Sequence, residues 1–230
     1  MEFIIIIVIT IIFSILLGYI FSFNKKKILE LAKNEKLDKM AKKYPSNIEL
    51  CKKYLKKLNN EKVTIEENKE AEASLYIAIT NKILIGNVSG TFTRMQTIAH
   101  ECLHSIQDRK ILIFNFIFSN IYLLYYVVIC VLALFNLLPF ELMFLSIFLI
   151  LSLINYIVRM YLENDAMIKA RFLAKEYLEE ENISSKKDVD EMVNGFDDLN
   201  NLGMKYIHYQ FFLNCMLKVL IFSMICFLVK

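Results

Sequence analysis

Residues 111–158 read ILIFNFIFSNIYLLYYVVICVLALF (111–135), NLLP (136–139) and FELMFLSIFLILSLINYIV (140–158), with one charge, Glu141, in 48 positions. A helix crosses a ~30 Å hydrocarbon core with ~20 apolar residues, so this run is too long for one span and right for two. The break belongs near Asn136-Leu137-Leu138-Pro139, because proline lacks the amide that would continue a helix. A hairpin of two spans is expected. Phe3 to Phe23 is a further 21 residues without a charge. It follows Glu2 rather than a basic region and ends in Phe21-Ser22-Phe23 rather than a small-x-small site, so it reads as an uncleaved anchor, not a signal peptide. Tyr209 to Val229 makes a fourth span with Lys218 at its middle, a charge costing ~2.5–3.5 kcal/mol on insertion scales.

The whole composition follows from these runs. The 230 residues are 57% hydrophobic with a mean hydropathy of +0.44, above the ~45–50% of soluble domains. Such a chain, with five Gly and two Pro, is not disordered, collagen-like or a proline-rich linker. Its five cysteines show neither CxxC pairing nor a disulfide framework. Lys25-Lys26-Lys27, Arg109-Lys110 and Arg159 flank the spans on one side, against Glu2, Glu141 and Lys230 on the other. Residues 24–110 carry 18 Lys+Arg and 11 Asp+Glu; residues 159–208 carry 7 and 11. By the positive-inside rule both polar segments face the cytoplasm and the N-terminus lies outside. The reducing cytoplasm suits unpaired cysteines. The basic clusters read as topology signals and contacts with anionic lipid, with no nucleic-acid partner.

The order expected is therefore an anchor (1–23), a cytoplasmic segment (24–110), a two-span hairpin (111–158), a cytoplasmic helical segment (159–208) and a last span (209–230). Residues 25–43 and 47–59 read as amphipathic helices parted at Tyr44-Pro45-Ser46, their basic faces on the inner leaflet. Leu75–Ile79 and Lys82–Ile85 read as strands around Thr80-Asn81. Thr91 or Thr93 caps a helix to about Asp108, and helices over 161–181 and from Ser184-Ser185 to about Gly195 complete the polar part.

The chemistry is carried by His100-Glu101-Cys102-Leu103-His104. With three His in 230 residues, an HExxH arises by chance in roughly 0.3% of such chains. Residues four apart share a helix face, so both imidazoles can reach one Zn²⁺ at ~2.0–2.1 Å. Glu101, one step around the helix, can serve a water beside the ion as general base. Met95, Ile98, Ala99, Cys102 and Ile106 form an apolar stripe, with the His100/Glu101/His104 face opposite; Cys102 points into the core. Asp108 is ~12 Å along the axis from His100, too far to share an ion. Gln107 and Lys110 stand where a metzincin needs Gly and His. Glu163 is the best-placed third ligand, because a two-span hairpin returns the chain to the side it left. The helix it opens bears Ala166, Ala170 and Ala174, small residues that let a second helix approach closely. His208 is the runner-up ligand, or alternatively stabilises the oxyanion. Asp165 falls on the far side of its helix from Glu163.

Thr97-Ile98-Ala99-His100-Glu101-Cys102-Leu103-His104-Ser105-Ile106-Gln107, followed after the hairpin by Leu162-Glu163-Asn164-Asp165-Ala166, resembles the YugP-like neutral zinc metallopeptidases of the bacterial membrane. It is more distantly similar to the HtpX and CAAX-protease group of membrane gluzincins. The resemblance spans roughly residues 75–180 and implies zinc ligands at His100, His104 and Glu163, with Glu101 catalytic. Leu103 stands where the family usually has Gly, and Met167 where the HtpX group has Asp. The expected fold is mostly α: an integral membrane protein of about four transmembrane helices with a small α+β zincin-like cytoplasmic domain. The expected activity is zinc-dependent cleavage of protein or peptide substrates. A catalytically inactive zinc-binding scaffold is the alternative, and a small transporter using Asn115, Asn120, Asn155 and Lys218 the more distant one.

Overall fold

The structure, a computed structural model, describes residues 1–21, 30, 33–88 and 90–229. Lys25-Lys26-Lys27, the first part of the helix expected over 25–43, the end of the first apolar run and Lys230 lie outside the described residues. The chain is mostly helical with one small sheet: α1 (Glu2–Ile20), α2 (Glu35–Ala41), α3 (Asn47–Lys57), β1 (Thr64–Glu67), β2 (Leu75–Ile77), β3 (Lys82–Ile85), α4 (Arg94–His104), α5 (Arg109–Leu134), α6 (Glu141–Glu181) and α7 (Lys186–Val229). It divides into two compact units. One comprises Met1–Phe23, Phe114–Met160 and Lys205–Lys230; the other comprises Asn24–Ile113 and Tyr161–Met204.

The first unit draws on α1, α5, α6 and α7, each long and apolar enough to cross a membrane. Phe3, Tyr122, Ile129, Phe148, Val219 and Phe222 fill its core. Much of its remaining apolar surface points outward: Ile15 is 70% exposed, Leu124 64% and Leu228 75%. The turn after α5 has a specific chemistry. Leu137 N–H bonds to Leu132 O and Asn136 N–H to Ala133 O, with Asn136 at φ 55°, the paired bonds of a Schellman stop. Pro139 follows, where no helix can be continued.

The second unit is built around the sheet, in order β1-β3-β2, with β1 parallel and β2 antiparallel to β3. The hairpin of β2 and β3 turns through Asn81 at φ 50°; β2 ends at Ile77, two residues short of the strand expected to Ile79. Sequence reading omitted β1, whose Thr-Ile-Glu-Glu is short and polar and whose partner is distant in the chain. Ile83 and Ile85 of the central strand are fully buried with Leu50, Tyr54, Ile98, Ala99, Ala166 and Ala170. Gly86 closes the hairpin where a Cβ would stand 2.7 Å from the Ala73 backbone.

Three further differences have physical causes. α3 starts on a Ser46–Glu49 capping box, but part of its basic face meets carboxylates: Lys53 pairs with Glu181, and Lys57 with Glu176 and Glu180. Those lysines are paired with carboxylates within the protein. The helix expected to stop near Gly195 runs on as α7 to Val229. Gly195 is a close-approach position, since a Cβ there would lie 3.0 Å from Leu37 and Phe92 side chains. Finally, α4 stops at His104, four residues before Asp108, so Ile106 leaves the apolar stripe and is 46% exposed.

Candidate metal centre

α4 is held at both ends by polar side chains rather than by a threonine cap. Thr93 occupies the N-cap position without a side-chain bond to the helix. Arg94 instead donates to Ala41 O, Tyr44 O, Pro45 O and Asn47 Oδ1 at 2.7–3.0 Å, tying the first turn of α4 to the α2–α3 turn. At the other end Asn60 donates to Ser105 O and Oγ at 3.0 Å. Met95, Ile98, Ala99 and Cys102 are fully buried on the inner face, and Cys102 Sγ lies 3.5 Å from Cys51 Sγ, both thiols free.

That anchoring leaves the other face of α4 towards α6. His100, His104 and Glu163 present donor atoms that all lie within 4.8 Å of one another, a group able to hold a metal ion. His100 Nε2 is 3.0 Å from His104 Nε2, and Glu163 Oε2 is 3.4 Å and 3.8 Å from the two. Two imidazoles and a carboxylate suit a borderline divalent transition ion better than calcium or magnesium, which take oxygen ligands. Ala166, Ala170 and Ala174 of α6, all without exposed surface, make room at the core for the helix that presents Glu163.

The two carboxylates differ in their surroundings. Burial raises Glu163, but the neighbouring His100 and His104 imidazoles outweigh it and hold its carboxyl well below the usual range. Glu101, only 6% exposed, is pushed up by burial; His100 and His104 oppose this, as does a hydrogen bond from the Tyr76 backbone amide. Burial lowers His104, yet the neighbouring Glu163 and Glu101 carboxylates leave it above the ordinary histidine value. The surroundings thus keep the Glu163 carboxylate ionised and raise the proton affinity of Glu101.

His208 is not a member of the three-residue group. It belongs to the first unit, where its Nδ1 lies 2.9 Å from Tyr156 Oη. Sequence reading missed Gln107, whose amide bridges His104, Leu162 and Asp165, because in the sequence it stands out only as a departure from the metzincin pattern. It also missed the Tyr76 amide, since a backbone group carries no mark in a sequence. No protein-family model, no curated protein and no solved structure matches the chain.

Proposed function

We propose that this protein is an integral-membrane zinc endopeptidase of the YugP-like kind, acting on protein or peptide substrates at the cytoplasmic face. The observation that carries the reading is the convergence of His100, His104 and Glu163, with Glu101 on the same helix. Donor atoms on one tetrahedral zinc at ~2.0–2.1 Å stand ~3.3 Å apart; the three separations here are 3.0, 3.4 and 3.8 Å. Three protein ligands leave a fourth position for water or substrate. When bound, the ion would activate water and polarise the scissile carbonyl. Glu101 takes a proton as the water oxygen bonds to the carbonyl carbon, then delivers it to the nitrogen as the C–N bond breaks. Its raised proton affinity, from burial, suits both halves of that transfer.

Substrate enters as an extended strand. β2 is an edge of the sheet, and its Tyr76 amide reaches Glu101, so main-chain groups of an added strand would lie beside the base. The membrane reading rests on four helices long and apolar enough to span, and on the excess of Lys and Arg beside them. Purified protein should bind about one zinc and cleave an unstructured polypeptide. Glu101→Gln should keep the zinc and lose ~10²–10⁴-fold in rate. Full zinc-dependent cleavage by that variant would overturn the mechanism, and zinc binding without cleavage by the wild type would favour the scaffold instead.

A further inference from the structure

Gln107 sits three residues past His104 and makes three hydrogen bonds. Its Nε2 is 2.8 Å from Leu162 O and 3.1 Å from Asp165 Oδ2, and its Oε1 is 2.8 Å from His104 Nδ1. A backbone carbonyl has no proton to give, so the Gln107 edge facing Leu162 must be the NH₂. A flipped amide would set Oε1 against that carbonyl oxygen. Oε1 therefore faces the imidazole, and an oxygen acceptor there requires a proton on Nδ1. In neutral imidazole this leaves the lone pair on Nε2, the nitrogen beside His100 Nε2 and Glu163 Oε2.

We propose that Gln107 is a positioning residue for the metal ligand His104: its amide, locked by the Leu162 carbonyl and the Asp165 carboxylate, fixes both the tautomer and the ring orientation that aim Nε2 at the ion. The inference rests on the metal-centre reading above. One turn of α6 supplies both sides of the device, since Leu162 and Asp165 flank Glu163. Asp165 is itself held by Lys169 at 2.5 Å. The side chain at 107 must accept at one end and donate twice at the other, which glutamine does and a carboxylate cannot. Asp165 accepts from this amide and also lies close enough to His104 for the two charges to interact. Outer-shell partners of this kind typically change metal affinity 10–100-fold.

The test uses the full chain in detergent, selectively ¹⁵N-labelled at its three histidines, with Zn²⁺ as probe. Gln107→Met keeps the side chain's length and excludes water better than a truncation, because a cavity of about 210 Å³ lined by Leu103, Ile106 and Leu162 opens beside the amide. In metal-free wild type at alkaline pH, His104 nitrogen shifts should show a single Nδ1–H form; in Gln107→Met they should report a tautomer mixture. Zinc affinity, by chelator competition, should fall 10–100-fold. Q107E should also lose affinity, since its carboxylate would face two acceptors, and Q107E/D165N should recover most of that loss by restoring a donor at 165. That rescue decides the matter if Gln107→Met does not fold. Unchanged tautomer and affinity in Gln107→Met, or no recovery in the double variant, would overturn the relay. His100→Ala and Glu163→Ala separate the two ideas: if they too leave zinc affinity unchanged, the metal centre fails, whereas if they abolish it and Gln107→Met does not alter it, only the relay fails.

Discussion

Glu163 Oε2 lies 3.8 Å from His104 Nε2, a pair of opposite charges only while the imidazole is protonated, so its contribution to stability depends on pH. His104, raised above its ordinary 6.5, contributes stability that is complete below that value and is lost as pH rises through the raised one. Glu163, depressed below its ordinary 4.5, contributes stability present above that value and lost only on strong acidification. Glu101, raised by burial, adds a penalty once it ionises, again towards higher pH. Metal-free protein should therefore melt highest between ~4.5 and ~6.5 and lower towards alkaline pH. Zinc needs neutral imidazoles, so the rise in melting temperature on adding zinc should widen from pH 6 to pH 8 with release of protons. In Glu163→Ala this rise should vanish at every pH. Glu179→Ala, at an exposed residue beside Lys175, should keep it; equal behaviour of the two variants would remove Glu163 from the ligand set.

At the scale of elements, the site depends on how closely α6 enters the core. Ala170 is fully buried between Ala166 and Ala174 in the same row. Ala170→Leu adds three carbons there and should cost ~1–3 kcal/mol. It should also lower zinc occupancy, because α6 carries Glu163 with it, whereas Ile168→Leu on the exposed side should leave both unchanged. Full zinc content in Ala170→Leu would show that helix spacing does not set the ligand geometry. The spacing of His100 and His104 was legible because i and i+4 on a helix is a local relation. Local pattern failed where tertiary contacts intervene. Glu101 falls on the polar face of the helical pattern, yet it is buried. Arg94 gave no signal as a buried tie, because its four acceptors are mostly backbone carbonyls of a turn some fifty residues earlier.

For the whole molecule, the governing quantity is the outward-facing apolar surface of the first unit. Water would make such a surface an aggregation site, whereas hydrocarbon solvates it and helices satisfy their own backbone groups. The proposed topology puts the Asn136–Phe140 turn outside the cell and the α6–α7 turn inside. In a background without the native cysteines, Asn136→Cys should react with an impermeant maleimide on intact cells, and Lys186→Cys only after permeabilisation. The reverse pattern would place the metal group on the outer side and remove the cytoplasmic assignment.

The amino-acid sequence determined the features that depend on neighbours along the chain. These are four apolar runs of spanning length, a turn at Asn136-Pro139, a hairpin at Asn81, and two histidines with a glutamate between them at helical spacing. Each follows from periodicity, length or the restricted backbone of Pro and Asn. Tertiary structure alone decided what lies between distant segments: the parallel strand β1, the passage of α7 through Gly195, the burial of Glu101 and the Gln107 bridge between α4 and α6. These arrangements are set by which surfaces meet and by which backbone groups then need partners. A backbone carbonyl such as Leu162 O directs an amide and a ring without any side chain that sequence reading could single out.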